Sequence, residues 1–213
     1  MYIIDETYFQ TPKREIPNLD EADSKSFVEL ERLVDYYGRL FMSYILTPEE
    51  LTEFNTFLVN GIFPSVTTGI PQKWIDLVNG VTYESNDVNL VWNGLIYSKG
   101  TYKGSVIADY VYSYWLEAQV SYMTGVGDAK GQPKRAILVN PTQRVVNIWN
   151  EFVGQYQEVW TYSNGWNWFN YNLYPVCYTQ NNEVSLIQFL QDNQTDYTSE
   201  NRQFFEVKNQ LGL

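Results

Sequence analysis

The chain has 213 residues, no histidine, a single cysteine and a formal net charge of −11, and 17% of it is aromatic. That length buries a full core without disulfide or metal staples and makes one domain, or one domain with an extended arm. The missing histidine excludes Ser-His-Asp and Cys-His nucleophilic sites, histidine bases and histidine-containing metal centres, while the acidic balance disfavours general attraction to nucleic acid or anionic membranes.

In chain order, residues 1–19 read as an N-terminal arm. Tyr2, Ile3 and Ile4 suit a short strand, after which Pro12 and Pro17 break any regular element. An arm that starts with apolar residues needs a docking place, on its own body or on a neighbour. The opening MYIIDETYFQ lacks the basic and apolar regions of a signal peptide. No segment has the ~18 consecutive apolar residues of a membrane span.

A first helix is expected after Asp20 or Asp23, which suit its positive end. Its seam runs Phe27, Leu30, Val34, Tyr37, Phe41, Tyr44, alternating three and four as an amphipathic packing helix does. Thr47-Pro48-Glu49-Glu50 then reads as an N-cap, a first-position proline and a capping-box glutamate. The second helix runs through Leu51, Phe54 and Leu58 and stops at Gly61. PQKWIDLVN fits a short helix from Pro71 to Asn79, ended by Gly80. Val81, Tyr83, Val88, Leu90 and Trp92 alternate around a Ser-Asn-Asp turn, as in a hairpin over residues 81–92. Such a hairpin is marginal alone and must lie on the helices or pair with another chain.

The next stretch, VWNGLIYSKGTYKG, leads into SVIADYVYSYWLEAQVSYM. Here polar residues fall every four positions, at Ser105, Asp109, Ser113, Glu117 and Ser121, and nearly everything between is apolar or aromatic. So narrow a stripe predicts a central helix with neighbours on most sides, with Tyr110, Tyr114 and Trp115 in the core. Gly125-Val126-Gly127 closes this helix, and a basic loop with Lys130, Lys134 and Arg135 follows. Asn140-Pro141 opens another helix with seam Val145, Trp149, Phe152, Tyr156, Val159. From Val159 to Asn182 there are 24 residues without a charge, holding six asparagines and the aromatics Trp160, Tyr162, Trp166, Trp168, Phe169, Tyr171, Tyr174 and Tyr178. The asparagines, Gly165 and Pro175 favour turns or short strands over a membrane helix. A last helix spans Glu183 to Gln191.

Several patterns invite a chemical reading and have a plainer one. The loop from Gly125 to Gly131 has the glycines of a phosphate loop but follows a helix instead of a strand, so an ordinary solvated loop is preferred, and after it a basic loop meeting an acidic neighbour or a phosphate backbone. Asp20, Glu21 and Asp23, and Glu49, Glu50 and Glu53, sit at helix starts, where capping and dipole effects account for them. Cys177 is read as a small core residue. The aromatic run is read first as a partner-binding surface, then as core, then as a sugar-stacking platform. No catalytic, cofactor-binding or metal-ligating set is expected. The interface residues are expected to be Trp160, Trp166, Trp168, Phe169 and Tyr174, with Lys130, Lys134 and Arg135.

KWIDLVNG, the polar hairpin, VWNGLIYS, ADYVYSYWL and NPTQRVVNIWNEFV, in that order, resemble head–tail connector (adaptor ring) proteins of tailed phages, especially those of crAss-like and related Bacteroidetes phages. Trp74, Leu77, Gly80, Trp92, Gly94, Leu95, Tyr110, Tyr112 and Tyr114 carry the resemblance, which covers about residues 20 to 213. It implies a non-enzymatic structural virion protein without cofactors. The protein would form a twelve-fold ring at the head–tail junction, between the portal and neighbouring tail proteins, around DNA that it does not read. Assembly would take place in the host cytoplasm. The alternative is a carbohydrate- or receptor-binding accessory protein of the virion that uses residues 160–178. The expected fold is mainly α: a helical bundle around a central apolar helix, with a small hairpin and extended terminal arms. Its parts are the arm 1–19, a helical connector domain 20–160 and an aromatic-rich C-terminal extension 161–213.

Overall fold

The computed structural model describes residues 1–19, 21, 24–85, 87–100, 102–120, 122–124, 127–129, 142–157, 182–198 and 202–208. Helix α1 (Lys25–Ser43) begins where the Ser24 hydroxyl accepts from Phe27 N, so serine, and not Asp20 or Asp23, is its cap. Leu30, Val34 and Phe41 are fully buried along the expected seam. Gly38 lets the N-terminal segment approach, since a Cβ there would sit 3.1 Å from the Tyr2 ring. Helix α2 (Pro48–Asn55) carries the expected capping box between Thr47 and Glu50. It stops at Asn55, short of Gly61, and the chain turns through a Val59–Ile62 bridge so that Gly61 O accepts from Ile3 N at 2.7 Å.

Helix α3 (Gln72–Asn79) leads into the hairpin β1 (Val81–Ser85) and β2 (Val88–Trp92), with Val81 opposite Trp92 and Tyr83 opposite Leu90. The two ends of this unit touch backbone to backbone. Leu77 O accepts from Trp92 Nε1 and from Leu95 N, both at 3.0 Å. Gly80 and Gly94 have φ of +86° and +97°, where side chains are strained. A Cβ on either would also lie 2.5 Å from backbone, at Trp92 O for Gly80 and at Val78 O for Gly94.

A second hairpin follows, β3 (Ile96–Lys99) and β4 (Tyr102–Ser105), in which Tyr97 lies opposite Gly104 and covers it. Strand β4 runs directly into helix α4 (Val106–Val120), whose first turn is capped by Ser105 Oγ accepting from Ile107 N and Ala108 N. A short pair, β5 (Tyr122–Thr124) and β6 (Gly127–Ala129), comes next, and then helices α5 (Thr142–Tyr156) and α6 (Leu186–Asp192). Helices α1, α4 and α5 pack through their aromatics, with the Tyr110 ring 5.7 Å from Phe41 and 4.9 Å from Phe152.

The expected mainly α bundle with a single hairpin and extended arms is thus corrected. Among the described residues the fold is mixed α and β, with six α-helices and three two-stranded antiparallel sheets. The β3–β4 hairpin occupies residues that read as a mere approach to the central helix. Its turn is permitted by Gly100 at φ +65°. Gly127, read as part of the helix stop, begins β6. The N-terminal segment is no free arm. Tyr2, Ile3, Ile4, Phe9, Ile16 and Leu19 are buried in the same core as the helices. Ile3 has φ of 63°, which bends the chain where a short regular strand was expected. At the other end, residues 202–208 lie extended along α5, held by Trp149, Asn150, Tyr156 and Gln157.

The α3–β2 joint generates a prediction. Gly80→Ala and Gly94→Ala each combine positive-φ strain with a backbone clash and are expected to lose more than about 2 kcal/mol of unfolding free energy. Gly100→Ala has positive φ but open space and is expected to lose about 1 kcal/mol. Urea denaturation of the three variants checks this; equal losses would mean that the close approach contributes nothing.

Candidate functional site

Of the residues expected at an interface, Trp160, Trp166, Trp168, Phe169, Tyr174, Lys130, Lys134 and Arg135 all lie outside the described residues. The expected core residues lie on α4. Tyr110 is fully buried, and Trp115 is buried and stacked on Tyr112 with ring centroids 5.5 Å apart. Tyr114 is half-buried and stacks on Tyr37 at 4.0 Å. Cys177 lies outside the described residues, as do Asp20 and Asp23. Of the acidic residues of α2, Glu50 and Glu53 are engaged in structure. Glu50 closes the capping box and accepts from Thr198 N at 2.7 Å, while Glu53 accepts from Lys73 Nζ and Trp74 Nε1.

Among the described residues the fully buried ion pair joins the N-terminal segment to the polar stripe of α4. Asp109, in the first turn of α4, and Arg14, in the N-terminal segment, are both completely buried. They form a two-pronged pair: Arg14 Nε donates to Asp109 Oδ1 at 2.5 Å and a terminal guanidinium nitrogen donates to Oδ2 at 2.9 Å. Gln155 Nε2, from α5, donates to Oδ2 at 3.0 Å, and Lys13 Nζ lies 3.4 Å from Oδ1. Lys13 also pairs with Glu151 of α5. Arg14 additionally reaches Lys103 O of β4 and lies over the Tyr102 ring. One carboxylate therefore ties the N-terminal segment, α4 and α5 together, with β4 held through the arginine.

The charges are internally consistent. Burial alone would push the Asp109 carboxyl up, but the Arg14 guanidinium, Lys13 and the hydrogen bonds outweigh it and hold the pKa below the usual aspartate value. For Arg14, burial pulls down, but the Asp109 charge and its hydrogen bonds dominate and keep the guanidinium protonated. Burial and the negative Asp109 push Glu151 up, against the pull of Lys13. A carboxylate has about four acceptor positions, and here Arg14, Gln155 and Lys13 take them, which suits a clasp better than a proton acceptor.

An acid in the first turn of an otherwise largely apolar helix was the available sign of this clasp, because a buried charge demands a partner. Among the described residues no group of three or more cysteine, aspartate or glutamate side chains is placed to hold a metal ion, and no helix is long and apolar enough to cross a membrane. In comparisons with protein-family models, curated proteins and solved structures, the chain matches none.

The depressed Asp109 value has a definite sign for stability. A group whose folded pKa is lowered stabilises the fold above its unfolded pKa, roughly 3.9 for aspartate, and loses that contribution as pH falls through the folded value. Asp109→Asn leaves Arg14 buried without its counter-charge and is expected to cost about 3–5 kcal/mol at pH 7. The gap from the parent chain is expected to narrow steadily below roughly pH 4, where the parent loses the same charge. Chemical denaturation at pH 7 and pH 3 checks this; a gap of constant size would show that the ionised pair is not the source of the loss.

Proposed function

We propose that this chain is a structural protein of a tailed-phage virion: one subunit of a closed ring, twelve copies in all, that connects portal and capsid to tail and surrounds the DNA channel at the head–tail junction. The observation that carries the reading is the joint between α3 and β2. Trp74, Leu77, Gly80, Trp92, Gly94 and Leu95 belong to the set of residues that gives the resemblance to connector proteins, and all of them but Trp74 come together at this joint. Leu77 O accepts from both Trp92 Nε1 and Leu95 N, and the two glycines let the backbones meet. Trp74 is fully buried, and its ring lies 5.3 Å from Phe54 of α2. The remaining members, Tyr110, Tyr112 and Tyr114, lie on the central helix α4.

The physical argument concerns ring closure. In a head-to-tail ring each subunit repeats the same rotation, and a small error in that rotation gives an open helix instead of a closed circle. Elements that project toward a neighbour must therefore be held at a fixed angle to the body. The locked joint does this for the β1–β2 hairpin, which ends in the exposed Val88. The net charge of −11 also suits a wall past which DNA moves without adhering.

The test is assembly. Incubated with portal, the purified chain is expected to form closed rings visible by negative-stain electron microscopy, with a mass by mass photometry that corresponds to twelve copies. A chain that stays monomeric at high concentration and never joins a portal would refute the reading. Replacing Trp166 and Trp168 by Ala is expected to lower the ring fraction at least tenfold while shifting the protomer's denaturation midpoint little, as truncated interface anchors do. A large midpoint shift with unchanged assembly would place these tryptophans in the protomer core.

A further inference from the structure

We propose that the groove formed by α1, α4 and α5 is a recognition site for extended peptides of the pattern aromatic-x-x-lysine. Residues 203–208 of this chain are its resident ligand, and a partner polypeptide carrying the same pattern is its exchangeable one.

The inference starts from how the tail is held. Residues 202–208 form no strand, and apart from Gln203 N, which donates to Tyr44 O at 3.4 Å, their backbone is read by side chains of α5 and of Gln157 just after it. Gln157 accepts from Phe205 N and donates to Phe205 O, both at 2.9 Å. Asn150 repeats the arrangement at Lys208, accepting from its N at 2.7 Å and donating to its O at 2.8 Å. Between these two clamps Trp149 Nε1 donates to Glu206 O, and beyond them Tyr156 OH donates to Gln203 O.

The spacing is that of a ruler. Asn150 lies in α5, and Gln157 directly follows it and continues its last turn through Gln157 N donating to Val153 O at 2.9 Å; the two are two helical turns apart, about 10.5 Å at 1.5 Å per residue. Phe205 and Lys208 are three extended residues apart, about 10 Å at 3.3 Å per residue. An extended peptide running antiparallel to α5 thus offers its backbone to both amides at once. Because the amides bind backbone, they accept many sequences.

Side-chain selectivity comes chiefly from two positions, and Val207 between them also packs, half-buried, against the core. The Phe205 ring enters a cage of Tyr44, Tyr110, Trp149, Phe152 and Tyr156, with centroids 5.0–5.8 Å away. Lys208 Nζ meets Glu117 Oε1 at 2.5 Å and lies 4.8 Å from the centre of the Trp149 ring. By contrast Gln203, Phe204 and Glu206 are exposed, so the groove does not select there. Backbone clamping with two side-chain pockets is the economy of peptide recognition: main-chain bonds supply affinity and the pockets supply choice. The tethered tail competes at an effective concentration on the order of mM, which an outside peptide must overcome.

The test uses the full chain and a fluorescein-labelled, end-capped peptide of residues 202–208, read by fluorescence anisotropy. The parent chain is expected to bind it weakly, because its own tail occupies the groove. Phe205→Ala with Lys208→Ala in the tail is expected to tighten binding at least tenfold. On that background Asn150→Ala or Gln157→Ala is expected to reverse the gain, and a peptide with Ala in place of the phenylalanine corresponding to Phe205 is expected not to bind. A folded double variant that ignores the peptide overturns the proposal. If the double variant does not fold, a protease site placed at residues 199–201 of the parent decides. Exchange of the cut tail for labelled peptide supports the proposal, and unfolding on cleavage overturns it by making the tail part of the core. Neither result bears on ring assembly, on which the proposal does not rest.

Discussion

A single buried charge organises this protein. Asp109 lies near the start of α4, the most apolar helix among the described residues, where an ionised carboxylate is tolerable only with cations and donors around it. Those partners come from far along the sequence: Arg14 and Lys13 from the N-terminal segment and Gln155 from α5. Supplying them draws residues 1–19 across the helical body and fixes the side of α4 on which they lie. The helix contributes as well, because the positive end of its dipole and the Ser105 cap sit within one turn of the carboxylate. Without the pairing, α4 would carry a buried charge and the N-terminal segment a buried guanidinium, each several kcal/mol unfavourable alone.

Around that clasp the core is mostly aromatic. Tyr110 touches Tyr37 and Phe41 of α1, Trp149 and Phe152 of α5, and Phe205 of the tail, with centroids 4.9–6.4 Å apart. Edge-on and tilted rings of this kind add about 0.5–1.5 kcal/mol per pair beyond area burial. Their polar tips also explain why the chain uses tyrosine here: Tyr156 OH donates to the tail backbone, and Tyr112 OH meets Glu15 O and an Arg144 guanidinium nitrogen. The same residues thus supply apolar mass inside and hydrogen bonds at the margin. Residues 1–19 and 202–208 are both held in this way, the first by charge and apolar burial and the second by amides and rings.

Features set by local spacing were legible in the sequence, and those set by distant partners were not. The seam of α1, the capping box of α2, the stop at Gly80, the 81–92 hairpin and the apolar α4 all follow from periodicity, capping and turn residues. The β3–β4 hairpin escaped because strands of four residues around Lys99-Gly100 carry little alternation. The Arg14–Asp109 clasp spans 95 positions and the Asn150–Lys208 clamp spans 58, so neither has a local signature. A polar stripe that holds one acid in its first turn hinted at the clasp, but identified no partner. Trp149 was expected as seam and does pack against Phe152, yet its indole N–H is spent on Glu206 O, which a seam position does not announce.

The most direct test of the clasp is a double-mutant cycle on Arg14→Met and Asp109→Leu, read by equilibrium denaturation at neutral pH. Each single change strands one buried charge and is predicted to cost about 3–5 kcal/mol, whereas the double change removes both and is predicted to cost less than either single one. If the two losses simply add, the charges do not depend on each other, and the clasp does not hold the N-terminal segment to the central helix.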